Sequence, residues 1–171
     1  LLDTVATTTE LDAFLQYTPP DEIDIDLLTA ADVTVTTPTD ADPYAPARKQ
    51  TEIVRRADRL RVLLPATDLE STRTVTEAVT DGLDLESVVS PSVAATFETS
   101  EFAPLIRKGV STGRSTILVA PTELPYYLGL ADDEVVQIGV ADDEGIPRAL
   151  LETTDDDVRR WAEDIYSEYR D

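Results

Sequence analysis

The chain has 171 residues, with 14 Lys+Arg against 35 Asp+Glu and a net charge of −21. A surface this acidic repels phosphate backbones and anionic lipid headgroups, which excludes DNA, RNA or membrane binding by this segment itself. With no Cys and no His there is no disulfide, thiolate metal site, imidazole base or histidine zinc ligand, while 42% hydrophobic residues is too many for a disordered acidic tail and suits one domain with a core.

Lys49 and Lys108 are the only lysines, the other basic residues are arginine, and Met is absent. This bias is that of extreme halophiles. In molar salt the Debye length is about 3 Å, so an acidic surface costs little.

In chain order, Leu1, Leu2, Val5, Leu11, Phe14 and Leu15 fall near helical spacing until Pro19-Pro20 forces a stop. The opening on Leu1-Leu2-Asp3 without a Met reads as a helix already under way, with something preceding it. Asp21 to Ala31 reads as an acidic linker, so residues 1–31 are expected to be a connector and residues 32–171 the main body. Four β-rich runs then each end on proline: Val33 to Pro38, Arg61 to Pro65, Ser87 to Pro91 and Thr116 to Pro121. Between them lie helical stretches over Pro43 to Ala57, Asp68 to Thr80 and Ser92 to Thr112, the last broken near Pro104. Strand, helix and strand in repetition imply parallel pairing with right-handed crossovers, and they place the four prolines along one edge of one sheet.

After Pro121 the pattern changes to an antiparallel meander over Tyr126 to Ala131, Val135 to Ala141 and Pro147 to Thr153, joined by acidic turns. Asp155, Asp156 and Asp157 mark a helix start, and Val158, Trp161, Ile165 and Tyr169 form the stripe that docks the last helix. The fold class is therefore α/β: a mixed sheet with β-α-β crossovers, a C-terminal meander and a terminal helix.

Two candidate sites follow. A first meander turn centred on Asp132-Asp133 puts Tyr126, Leu128, Gln137, Gly139, Arg148 and Glu152 on one face, with Gly139 opening space opposite Tyr126. Tyr126, Gln137 and Arg148 then form a pocket floor, unless Arg148 simply pairs with Glu152 on a solvated sheet. The second candidate is the proline edge, where Thr37, Pro38, Pro65, Ser90, Pro91 and Tyr44 line the crevice at the strand carboxyl ends. Asp42 and Asp68 sit where they compete with an anion for helix amides, so a neutral ligand fits better than a phosphate. No catalytic residue, metal ligand or cofactor site is assigned. Asp132-Asp133-Glu134 and Asp142-Asp143-Glu144 read as solvated turns, and Asp24 and Asp26, the carboxylates of a hydrolase alternative, lie in the linker-like segment.

Asp42-Pro43-Tyr44, Leu124 to Leu130, Val136 to Val140, Asp143 to Leu151 and the closing Trp161-Ala162-Glu163 with Tyr166 and Glu168-Tyr169-Arg170 together resemble a known family. It is the effector domain of haloarchaeal winged-helix transcriptional regulators, in the group named after the methanogenesis regulatory protein. The resemblance runs from about Asp32 to the C-terminus, and Leu1 to Ala31 is similar to the connector that follows the DNA-binding domain. It implies a homodimer that senses a small molecule and touches DNA only through a winged helix absent from this chain; separately, no apolar run approaches about 20 residues, so a cytoplasmic protein with no membrane contact is expected. The resemblance also implies a phospholipase-D-like arrangement whose histidine-lysine motif this histidine-free chain cannot carry. A purely structural dimerisation domain is the alternative.

Overall fold

The computed structural model describes residues 8–19, 21–144 and 146–171. The expected helix over Leu1 to Val5 lies outside the described residues. Seven strands form one mixed sheet in the order β1-β7-β6-β5-β2-β3-β4. They are β1 Thr34–Thr36, β2 Arg59–Leu64, β3 Asp84–Val89, β4 Ser115–Val119, β5 Tyr127–Ala131, β6 Val135–Ala141 and β7 Pro147–Thr153. The helices are α1 Thr8–Gln16, α2 Ile25–Ala30, α3 Ala45–Glu52, α4 Leu69–Thr80, α5 Pro91–Phe97, α6 Ala103–Ser111 and α7 Asp156–Arg170, and a 3₁₀ turn, Ile53–Arg55, extends α3.

Local chemistry sets most of these boundaries. Asp68 caps α4 by accepting from Ser71 N at 2.8 Å, and Gly82, at φ 126°, follows its C-terminal end, a backbone conformation glycine enters without penalty. Arg114 then holds the last carbonyls of α4, donating to Val79 O at 2.6 Å and Thr80 O at 3.1 Å. Pro104 does not break a helix from within. It sits in the first turn of α6, where its missing N–H costs nothing. Asp155 caps α7 through the amides of Asp157 and Val158.

The parallel β2-β3-β4 unit and the antiparallel meander form as the sequence predicts. The first strand does not. β1 pairs antiparallel with β7 instead of parallel with β2. The meander strands each need partners on two sides, and they fill the space between β1 and β2. All four proline-terminated strands still run the same way, so their prolines lie at one end of the sheet. Thr37 and Pro38 are nevertheless four strand spacings from Pro65, roughly 19 Å.

Helices cover both faces. On one, α1, α2 and α7 pack over Leu63, Val88, Leu128, Ile138 and Leu151. On the other, α3, its 3₁₀ turn and α4 pack over Leu60, Val62, Leu85, Tyr127 and Leu150. The terminal helix docks by its apolar stripe and by an ionic cluster. Arg61 donates to Glu163 at 2.6 Å and Asp133 at 3.0 Å and lies 5.6 Å from the Tyr166 ring centroid, while Tyr166 and Arg170 both donate to Glu86. Burial raises the Glu86 carboxyl's pKa, but the hydrogen bonds from Tyr166 and Arg170 outweigh it and leave the group below its ordinary value.

The stretch that reads as a linker contains α2, capped by Asp24 through Leu27 N. Ile23 and Leu28 are buried in the same core as Phe14 and α7. That helix is too short to show periodicity, and its acids hide its two apolar anchors.

Candidate functional site

A crevice of about 940 Å³ opens between α3 and α4 on the second face and runs toward α6. Its floor draws on strands β2 to β7, with Val62, Ser87, Ile117, Tyr127, Gly139 and Leu150 among the lining residues. Tyr127, at the start of β5, lies over it. A Cβ placed on Gly129 would stand 2.8 Å from the Tyr127 hydroxyl oxygen, and one on Gly139 would stand 3.2 Å from Tyr127 Cβ and 3.4 Å from Gln50 Oε1. The two glycines therefore let the Tyr127 ring lie along the sheet and let α3 approach it. Burial, and then the charge of Glu152, push the Tyr127 hydroxyl's pKa up, so it stays neutral at every physiological pH.

This arrangement corrects the expected meander register. Tyr127 opposes Gly139, Leu128 opposes Ile138 and Ala131 opposes Val135, one residue away from the expected pairing. The turn spans Asp132 to Glu134, with both Asp132 and Asp133 at φ 54°. Asp132 is drawn into place because its carboxylate accepts the amides of Asp58 and Arg59, each at 2.9 Å, extending the ladder of β2. A one-residue slip exchanges the faces of an entire strand. Tyr126, Leu128 and Leu130 consequently point into the first core, and Gly139 opens space for Tyr127. Between β6 and β7, Gln137 stands opposite Glu152 and Gly139 opposite Leu150, so Gln137, Gly139 and Glu152 share one face as expected.

Of the residues singled out from sequence, Tyr44, Pro65 and Tyr126 border the crevice. Tyr44 occupies the N-cap position of α3 without a side-chain capping bond, at the crevice mouth, and is 73% exposed. Tyr126 is buried with its ring in the first core, and its hydroxyl donates to Glu22 O at 3.1 Å. The others lie elsewhere. Thr37 is at the far side of the sheet. Ser90 is buried and accepts from Leu124 N at 2.8 Å, holding the loop after β4 against the end of β3. Arg148 pairs with Asp142 at 2.8 Å, not with Glu152. Gln137 lies on the crevice side of the sheet, fully buried beside Glu152, to which its Nε2 donates at 2.9 Å.

Gln137 Oε1 has no hydrogen-bond partner. An orphaned buried acceptor costs about 1–3 kcal/mol. Gln137→Met, of similar volume, is therefore expected to keep or raise the unfolding free energy in urea. A loss above about 2 kcal/mol, the scale of a broken buried network, would show the amide to be a structural strut.

The remaining polar lining offers acceptors beside the donors of Gln50, Arg55 and the neutral Tyr127 hydroxyl. Thr51 and Thr72 spend their hydroxyl protons on the carbonyls of Ala47 and Asp68; Thr51 keeps its lone pairs for the crevice, while Thr72 Oγ1 accepts from Thr67 Oγ1 at 3.0 Å. Asp68 occupies the first amides of α4, and Arg48 is paired with Asp42. Arg55 and Glu70 bring opposite charges to the lining. Such walls suit an uncharged compound with an apolar body and N–H or O–H donors.

The acids do not converge. Among the described residues no group of three or more His, Cys, Asp or Glu side chains could hold a metal ion. Asp24 caps α2, Asp132 holds backbone amides, and Asp142 accepts from Glu144 N, Ile146 N and Arg148 Nε within its own hairpin. The amide of Ile146, then the Arg148 and Glu144 donors, hold the Asp142 carboxyl below its ordinary value against a smaller effect of burial. A depressed carboxylate stabilises the fold above its unfolded pKa, roughly 3.9, and that contribution is lost as pH falls through the folded value. Asp142→Asn should accordingly lower Tm at pH 7 and show a shallower decline than wild type below pH 4. Parallel acid profiles for the two proteins would contradict this role.

Fold and crevice together define the class: a mixed-sheet α/β domain with helices on both faces and an open pocket on one of them. The chain belongs to the family of the methanogenesis regulatory protein FilR1, middle domain, whose family model matches residues 43–171. Its fold is similar to that of TrmBL2, an archaeal chromatin protein with a novel mode of DNA binding, at a TM-score of 0.56 and 16% identity over 80% of this chain and 51% of that one. This chain spans about half the length of that protein, and the likeness is one of fold. No curated protein matches the sequence. Among the described residues no helix is long and apolar enough to cross a membrane.

Proposed function

We propose that this domain is the effector module of an archaeal transcriptional regulator. It binds a neutral, donor-bearing small molecule in the crevice between α3 and α4 and relays occupancy to a DNA-binding winged helix of the same protein. Residues 1–17 help pair two protomers. The observation that carries this reading is the crevice itself: about 940 Å³, with Tyr127 lying over Gly129 and Gly139 in its floor and the Thr51 hydroxyl, its proton spent on Ala47 O, left as an acceptor in its wall. A pocket of that volume falls within the range of roughly 300–1,000 Å³ that holds metabolite-sized ligands. The family, named for a regulatory protein, supports the regulatory role, and the net charge of −21 supports assigning DNA contact to another part of the protein.

Thermal shift in molar KCl against a panel of neutral cytoplasmic metabolites tests the reading. A ligand at 100 times its Kd stabilises by about 2.7 kcal/mol, and no shift from any compound would count against sensing. Sedimentation showing a monomer at every concentration would refute the pairing.

A further inference from the structure

We propose that the outer edge of β4 docks a second copy of this chain, strand against antiparallel strand about a two-fold axis. β4 closes one side of the sheet, with β3 on its inner side and no strand on its outer side among the described residues. Leu85 donates to Arg114 O and Ala120 donates to Val89 O. Arg114 and Ala120 thus face β3, and by alternation Ser115, Ile117 and Val119 turn their N–H and C=O groups outward. The strand reads Ser-Thr-Ile-Leu-Val, with no charge or proline inside it and no bulge in its register with β3. Those are the devices by which monomeric proteins blunt an edge, and β4 has none of them. The opposite edge, β1, is three residues long and carries two threonines.

Charge selects the occupant. The segment Phe102 to Thr122, which builds α6 and β4, contains Arg107, Lys108 and Arg114 and no acid, the longest acid-free run in a chain with 35 Asp+Glu. With 35 Asp+Glu against 14 Lys+Arg, a second copy docked elsewhere tends to set carboxylates against carboxylates. Along α6 and β4 it meets none, and the exposed Arg107 and Lys108 can face the acidic flanks of the partner. Val119 and Val110, 57% and 46% exposed, supply apolar surface on the same two elements. A two-fold axis makes the edge its own complement, satisfying the outward backbone groups of both copies. This surface is separate from α1, which packs by β7 and β1, because six strand spacings, roughly 29 Å, divide the two edges.

The chain has no cysteine, so single-cysteine variants give an unambiguous readout. With the axis perpendicular to the sheet, opposed residues share a face, and one residue of the strand faces its own copy at a Cα separation of about 4.5–5.5 Å, within disulfide range. Thr116→Cys, Ile117→Cys and Leu118→Cys are made one at a time in the full chain and oxidised in molar KCl beside Thr80→Cys, an exposed control on α4. One of the three should form a covalent dimer, while its neighbours and the control stay monomeric. Val119→Lys, at an exposed position that tolerates the change, should abolish that cross-link and shift sedimentation to the smaller assembly that residues 1–17 alone would hold, with unchanged circular dichroism. Failure of all three β4 positions to cross-link, or a β4 cross-link that survives Val119→Lys, overturns the proposal.

Discussion

Phe14→Ala should cost about 3–5 kcal/mol of unfolding free energy and lower Tm by on the order of 10 °C. Phe14 is fully buried, in one core with Ile23, Leu28, Leu151 and the α7 residues Val158 and Ala162. Removing its ring leaves a cavity between α1 and the sheet that neighbouring strands cannot close without breaking their ladder. Thr18 adds a local tie, since its hydroxyl donates to Phe14 O at 2.8 Å. Urea unfolding in molar KCl measures the change directly. A loss below about 1 kcal/mol, typical of surface substitutions, would show that α1 does not pack on the body and that the stretch before β1 behaves as a free connector.

Gly139→Val is the second large effect. Even a bare Cβ would press on Tyr127 Cβ at 3.2 Å, an atom fixed to the backbone of the neighbouring strand. Gln50 Oε1 at 3.4 Å closes the other side, and a branched side chain adds two methyl groups to that space. Overpacking of this kind costs about 1–3 kcal/mol, and the displaced Tyr127 ring and α3 would fill the crevice floor. The variant should therefore fold with a lowered urea midpoint. Wild-type stability would mean that α3 stands off the sheet and that Gly139 has no close neighbours.

Strands and long helices were legible in the sequence because period-two and helical patterning survive in a threonine-rich, acidic background. Pro65 and Pro121 end their strands where expected, and Asp68, Gly82, Asp155 and Gly113 mark helix ends through capping and backbone chemistry. Strand order was not legible. Nothing in Val33 to Thr37 distinguishes a strand that pairs parallel with β2 from one that pairs antiparallel with β7. The register of β5 turned on whether the Asp132 turn has two or three residues. That choice was made by Asp132 reaching the amides of Asp58 and Arg59, more than seventy residues earlier in the chain.

The site was partly legible for the same reason. Tyr44, Pro65 and the role of Gly139 as an opening could be read from strand ends and a missing side chain. Tyr127, Gln50, Thr51 and Gly129 were missed, because their meeting depends on that register and on α3 crossing over β6. The adjacent pair Tyr126-Tyr127 held the available signal: in a strand one of the two must face each side, and the glycines at 129 and 139 mark the side with room.

The most direct measurement is the ligand-induced thermal shift compared across three proteins in molar KCl: wild type, Gly139→Val and Arg148→Ala. Sensing in the α3/α4 crevice predicts that at least one neutral metabolite stabilises the wild type by about 2.7 kcal/mol at 100 times its Kd. The same compound should stabilise Arg148→Ala nearly equally, because the guanidinium is no part of the lining and its partner Asp142, which does border the crevice, stays held by the amides of Glu144 and Ile146, and should leave Gly139→Val unmoved. A stabilisation undiminished in Gly139→Val, or no stabilisation of the wild type by any compound, would contradict it.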